Sequence, residues 1–239
     1  VSPITPSRFY GPGAALPAIG IIDYGMGNLR SVQKAFELVG ASAQVLAHPD
    51  EIVHVDRLVL PGIGAFGDGM INLRKGGWIA PIKAFIERGR PFLGICLGMQ
   101  LLFESSMEDA ASPHEPVQGL GILPGRVVQF DVNHGSQRIK VPHMGWNTLR
   151  WSTDDPLLAG LPQESAVYFV HSFYCVPDES AGRITSAATQ YPAGEPFTST
   201  LWSGNTWATQ FHPEKSQRTG LRMLRNFAML EAGAKLVRA

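Results

Sequence analysis

The sequence predicts an α/β fold. One domain is expected, built on a central, mostly parallel mixed sheet with helices on both faces and additional antiparallel strands. Three observations predict it. Short, β-branched apolar runs alternate with helix-period stretches through the first half, the pattern of a parallel sheet with crossover helices. The second half is dense in strand-like segments separated by turn signals. The chain has 239 residues and is 44% hydrophobic, enough for one sizeable core, and shows neither an internal repeat nor an inter-domain linker.

The elements follow in order. AIGII at 18–22 is a buried strand, broken by DYGMGN. Leu29, Val32, Phe36 and Val39 recur at three- or four-residue steps before Gly40, so a helix with one core-facing stripe lies there. AQVLA at 43–47 and RLVL at 57–60 are the next strands, the second closed by Pro61-Gly62. Pro81 opens a helix carrying Ile82, Phe85 and Ile86, and Gly89 ends it. PFLGI at 91–95 is a fourth strand, and LGMQLLFESS is expected to continue as a helix. Residues 106–119 read as a polar surface loop. GRVVQF, RIKVPHMGWNTLRW, AVYFVHSFYCV, RITSAAT, FTSTLW and TWATQF then read as strands added to the same sheet. A last helix from about Gln217 sets Leu221, Leu224, Phe227 and Ala228 on one face.

Composition excludes several classes. Twenty basic and twenty acidic residues give zero net charge, without the basic excess of a nucleic-acid binder. Cys96 and Cys175 are too few for a disulfide framework and imply a reducing, cytoplasmic compartment. No apolar stretch approaches the ~18 residues of a membrane span. The histidines lack ligand spacing, so neither a metal nor a cofactor is expected. Residues 1–17 carry four prolines and a single basic residue, Arg8, and read as a flexible extension or linker to a domain of 18–239.

Cys96 sits in Gly94-Ile95-Cys96-Leu97-Gly98, with strand before and helix after. A sharp strand-to-helix turn exposes its apical residue, and flanking glycines make room for it. The helix N-terminus offers unpaired N–H groups that favour a thiolate and can hold an oxyanion. An unpaired cysteine is also an ordinary small core residue, and context alone leaves both readings open. Cys175 has no glycine frame and reads as core. A thiolate nucleophile needs a base and a group to orient that base. His212, in QFHPEKS, follows a strand, with Glu214 two residues on. Both this histidine and Cys96 would lie at carboxyl ends of strands, where α/β folds bind ligands. A turn with a solvent-facing histidine is the alternative. GIGAFG at 62–67 matches a dinucleotide-loop pattern, but it follows the third strand and begins after proline. Its glycines suit a backbone loop that aims an N–H at an oxyanion, or a plain strand-to-helix turn.

PGIGAFGDGM, GICLGMQLLF and QFHPEKS resemble the oxyanion strand, nucleophile elbow and His-x-Glu end of class I glutamine amidotransferases. DYGMGNLRSV, VPHMGWN and YFVHSFY narrow the resemblance to the glutaminase subunits of imidazole glycerol phosphate synthase. The likeness runs from Ile19 to the last helix, and the six motifs in this order are highly specific. The resemblance implies that Cys96 attacks the side-chain amide of L-glutamine, His212 passes a proton to the leaving ammonia, and Glu214 orients His212. It implies a γ-glutamyl thioester, hydrolysed to glutamate. It implies a heterodimer with a (β/α)8-barrel cyclase, where ammonia helps form imidazole glycerol phosphate and an aminoimidazole carboxamide ribotide in histidine biosynthesis.

By the same resemblance, Gly62, Ile63, Gly64 and Leu97 surround the oxyanion. Backbone at His171, Ser172 and Phe173 holds glutamine, with Gln100 at its polar end. Asn28, Trp146 and Lys215 face the cyclase, although Asn28 could simply cap a helix and Trp146 could be core. Two positions depart from the family pattern. Ile63 replaces the commoner valine of PGVG, and Phe173 replaces the first tyrosine of HSYY. A free-standing γ-glutamyl hydrolase, another amidotransferase's glutaminase subunit and a catalytically silent subunit are the competing functions. Activity without a second protein, and the effect of Cys96→Ala, separate them.

Overall fold

Strand β1 (Ala18–Ile22) is apolar on both sides and therefore takes an interior place in the sheet. It pairs in parallel with β2 (Ser42–Leu46) and with β3 (Arg57–Leu60). Strand β4 (Phe92–Ile95) pairs in parallel with β3 on one side and with β13 (Thr206–Thr209) on the other. Strands β12 (Phe197–Ser203) and β11 (Thr185–Thr189) extend that edge antiparallel. The resulting seven-stranded order is β11-β12-β13-β4-β3-β1-β2. The computed structural model describes residues 17–108, 110, 112, 115–132, 139–179, 183–191 and 195–230. The expected extension over 1–17 therefore lies outside the described residues, apart from Pro17.

The period-two rule assigns the two faces. Ile19, Ile21, Val59, Leu93 and Ile95 point to one side, where α1 (Leu29–Leu38) and α5 (Gln217–Ala228) supply Val32, Phe36, Leu224 and Phe227. Ile22, Leu58, Leu60 and Phe92 point to the other, against Phe66, Met70 and Leu73 of α2 (Phe66–Lys75) and Ile82 and Phe85 of α3 (Ile79–Glu87). Helix α2 had no sequence expectation, because Gly67 and Gly69 mask its periodicity. Gly69 is small for a reason: a side chain there would press on Leu97 and Leu101. Helix α3 starts at Ile79, so Pro81 lies inside its first turn rather than opening it.

Three further expectations need correction. The stretch after Cys96 makes one helical turn, α4 (Leu97–Gln100), and then becomes β5 (Phe103–Ser106). Leu101, Leu102 and Phe103 are all fully buried, and an apolar run buried on every side carries no period to separate helix from strand. The later strands also do not all join one sheet. β5, β6 (Val117–Gln118), β7 (Leu123–Gln129) and β10 (Phe173–Pro177) form a second sheet, ordered β10-β7-β5-β6. β8 (His143–Thr148) and β9 (Ala166–His171) form a separate antiparallel ribbon. The run AVYFVHSFYCV is thus two strands in different sheets, with Ser172 alone between them. β6 lies within the stretch expected as a loop.

Candidate active site

Cys96 stands between β4 and α4 with φ 53° and ψ −108°, a backbone conformation that L-residues rarely adopt. Its surroundings impose it. The Cys96 N–H donates to Thr209 O on β13 at 2.7 Å, and Cys96 O accepts from the N–H groups of Met99 and Gln100. The flanking glycines are a packing requirement. A Cβ on Gly98 would lie 1.8 Å from Leu60 O, and one on Gly94 would lie 2.8 Å from Gly98 O. Because α4 is a single turn, its aligned dipoles are few. What it offers the sulfur side is the N–H groups of its first residues, Leu97 and Gly98, which have no preceding helical carbonyl to bond.

His212 follows β13 by three residues, so the parallel register that places Thr209 beside Ile95 also brings the histidine to the Cys96 end of the sheet. Its N–H donates to Tyr168 O on β9 at 3.1 Å, and Ser216 Oγ bonds its carbonyl at 2.7 Å. His212 Nδ1 meets Glu214 Oε1 at 2.8 Å, with both side chains almost fully buried. This contact assigns the Nδ1 proton to the carboxylate and leaves Nε2 free to serve a substrate. Nε2 is itself buried without a hydrogen-bond partner. Burial pulls the His212 pKa down. The negative charge and proximity of the Cys96 sulfur, and the Glu214 carboxylate, more than offset it and push the ring up to about 10.

Cys96 and His212 line one cavity of about 300 Å³. Its walls also include Ile63, Gly64, Leu97, Gln100, His171, Ser172 and Phe173, all of them expected site residues. Gly64 has φ +100°, in the range that favours glycine. Gly62 packs behind the wall, where a Cβ would lie 2.4 Å from Tyr24 Oη and 2.8 Å from Leu97 Cβ. Glu214 stands behind His212, outside the lining. Gln100 uses its amide protons internally, donating to Phe173 O at 3.0 Å and Gln210 Oε1 at 3.2 Å. Its carbonyl oxygen can therefore accept from a ligand. Asn28, Trp146 and Lys215 are not in the cavity. Asn28 precedes α1 without capping it through its side chain, Lys215 is exposed, and Trp146 is 50% exposed.

Some neighbours were not anticipated. Gln210 is fully buried, and its Nε2 lies 3.8 Å from Cys96 Sγ. It stands just past the end of β13, two residues before His212, in the same short QFHPE stretch. Glu108 lines the cavity and accepts from Phe66 N–H at 2.9 Å, capping α2. No sequence signal connects those two residues. Among the described residues, no group of acidic, histidine and cysteine side chains is arranged to hold a metal ion.

Comparison with known proteins gives the family and the fold. The family model "Glutamine amidotransferase class-I" matches residues 20–230. The chain is similar to the imidazole glycerol phosphate synthase subunit HisH of Syntrophotalea carbinolica, with 52% identity over 87% of this chain and 98% of the relative. It is similar to the HisH subunit of Geobacter metallireducens, with 48% identity over 91% of this chain and all of the relative. Among solved structures, it resembles PurLQS from Thermotoga maritima (TM-score 0.67, 18% identity, 89% of this chain and 98% of that one). It also resembles a glutamine amidotransferase (TM-score 0.65, 18% identity, 89% and 99%). At such identities the structural likeness speaks for the fold alone.

Proposed function

The chain belongs to the class-I glutamine amidotransferases and, within them, to the HisH subunits of imidazole glycerol phosphate synthase, and from that premise we propose that Cys96, His212 and Glu214 hydrolyse L-glutamine and supply ammonia to a cyclase partner. Cys96 Sγ attacks the side-chain amide carbon of glutamine. The carbonyl oxygen gains the charge and is met by N–H groups of the 62–64 turn and Leu97. His212 Nε2 gives its proton to the amide nitrogen, which leaves as ammonia. The enzyme is then a γ-glutamyl thioester. A water molecule loses a proton to His212 and attacks the thioester carbon. Glutamate departs and the sulfur is restored. Glu214 fixes the ring orientation and stabilises the imidazolium.

The cavity is at the small end of ligand sites, which suits an amino acid. Gln100 Oε1 accepts from the α-ammonium group of glutamine, and backbone at 171–173 holds its other end. The partner is a (β/α)8-barrel cyclase that docks over Asn28, Trp146 and Lys215, forming a heterodimer. The catalytic unit is 18–239, with 1–17 an appended extension. Two free cysteines fit a reducing, cytoplasmic setting.

One observation carries this reading. A buried cysteine held at positive φ shares a cavity with a buried histidine whose far nitrogen is locked onto a carboxylate. The test is glutamate release by the chain alone, and with cyclase plus its nucleotide substrate. Slow turnover alone, marked stimulation in the complex and loss of both in Cys96→Ala are expected. Fast turnover that ignores the cyclase would refute the partner-dependent reading, and glutamate release by Cys96→Ala would refute the nucleophile.

A further inference from the structure

The Phe173 carbonyl ends a chain of hydrogen bonds whose proton order can be worked out from one end. His171 Nδ1 lies 2.8 Å from Phe173 O. A carbonyl only accepts, so Nδ1 carries the proton and Nε2 of the neutral ring is a bare acceptor. His143 Nδ1 lies 3.0 Å from that Nε2 and must donate to it. His143 Nε2 is then an acceptor in turn, with the Asn147 amide nitrogen 3.4 Å away and that same nitrogen 3.0 Å from Gln190 O. A second proton on either ring would set N–H against N–H. Burial agrees, lowering His143 to about 4. Burial likewise lowers His171 to about 3, against the raising effect of the Phe173 carbonyl.

The chain continues inward from Phe173 O. Gln100 Nε2 donates to the same oxygen and to Gln210 Oε1, and Gln210 Nε2 reaches Cys96 Sγ. An unbroken path therefore joins the β8–β9 ribbon to the sulfur. His143 is 3% exposed and is not part of the cavity wall, so it has no route to a substrate.

We propose that His143 is a positioning residue: by donating to His171 it holds the Phe173 carbonyl, and through it Gln100 and Gln210, in the arrangement that seats glutamine. Asn147 supports it by filling its other nitrogen. This rests on the glutaminase reading above.

The test uses the full chain and two alkylating reagents. 6-Diazo-5-oxo-L-norleucine must seat as glutamine does before it reacts with Cys96, whereas iodoacetamide needs only an accessible thiolate. His143→Ala should slow labelling by the diazoketone roughly tenfold, the loss expected for one buried hydrogen bond, and leave iodoacetamide labelling within about twofold. His143→Gln, whose amide can donate to His171, should recover most of the loss. Equal slowing with both reagents, no slowing with either, or failure of the Gln variant to recover would overturn the proposal. Nitrogen-15 spectra of the unmodified protein give a check that needs no variant. Both rings should be neutral Nδ1–H tautomers at pH 7, and an Nε2–H form of either overturns the proton order. Failure of the unmodified chain to react with the diazoketone removes the glutaminase reading and this one with it. Reaction that His143→Ala leaves intact removes only the positioning role.

Discussion

The Cys96 N–H and the Thr209 carbonyl are bonded at 2.7 Å across neighbouring parallel strands. This bond ties the residue at the strand-to-helix turn to the strand that leads into His212. Two groups separated by more than a hundred positions in sequence are thereby placed by one sheet register. The proposed chemistry depends on that register, and the following outcomes test it.

Gly98→Ala should be severely destabilising although it adds one methyl group. The new Cβ would overlap Leu60 O, a backbone atom that can move only by shifting β3. A loss on the order of 1–3 kcal/mol or more is expected in denaturant unfolding, with glutaminase activity falling alongside. An unfolding midpoint equal to that of the unmodified chain would contradict the packing account of the glycine frame.

Glu214→Gln should leave the fold intact and lower kcat on the order of 10²–10⁴-fold, the usual range for disabling a positioned acid–base group. Glu214 is one of the groups that hold His212 up at about 10. Removing its charge should therefore shift the alkaline limb of the kcat profile toward lower pH. An unmoved limb would mean that the sulfur alone sets the histidine.

The histidines predict a stability optimum near pH 6.5. His143 and His171 have depressed native pKa values, about 4 and about 3, so below pH 6.5 the unfolded chain takes up protons that the native rings refuse. Their contribution is present above 6.5 and is lost as pH falls through about 4 for His143 and about 3 for His171. His143 alone accounts for at most about 3 kcal/mol of it. His212 works in the opposite sense. Its native value is raised to about 10, so its contribution is present below 6.5 and is lost as pH climbs to 10. Urea unfolding across pH 4–10 should show both limbs, and His143→Gln should flatten the acid one.

Trp146→Ala should weaken association with the cyclase by roughly tenfold or more, as removal of a central aromatic anchor does. Trp146 is half exposed on β8, and Met144 on the same outward side is 57% exposed. Isothermal titration with the cyclase subunit measures it directly. Unchanged affinity would move the docking face elsewhere.

The parallel half of the sheet could be read before any coordinates, because Ile19, Ile21 and Ile22, or Leu58, Val59 and Leu60, are apolar on both sides and bounded by breakers. The Cys96 turn and the His212–Glu214 pair were legible for a similar local reason: each is defined within five residues. What escaped was non-local. The buried Leu101–Phe103 run has no period, so β5 looked like the rest of a helix. Gly67 and Gly69 hid α2, and the small size of Gly69 answers to Leu97 and Leu101, which lie outside that helix. The ring-to-ring bond between His143 and His171 depends on the register of β8 against β9, which no local pattern reports.

Ser172 is the only residue between the end of one sheet and the start of another, and it lies in the wall of the cavity. The cavity thus straddles a seam between the ribbon and the second sheet. Along the chain from β9 to β10, any tilt of the ribbon relative to the β7–β10 sheet passes through this one residue, whose carbonyl also accepts from the Phe130 N–H just beyond β7. Amide hydrogen exchange on either side of the joint would register that motion, and a ligand that slows exchange on both sides would be acting as a clamp across it.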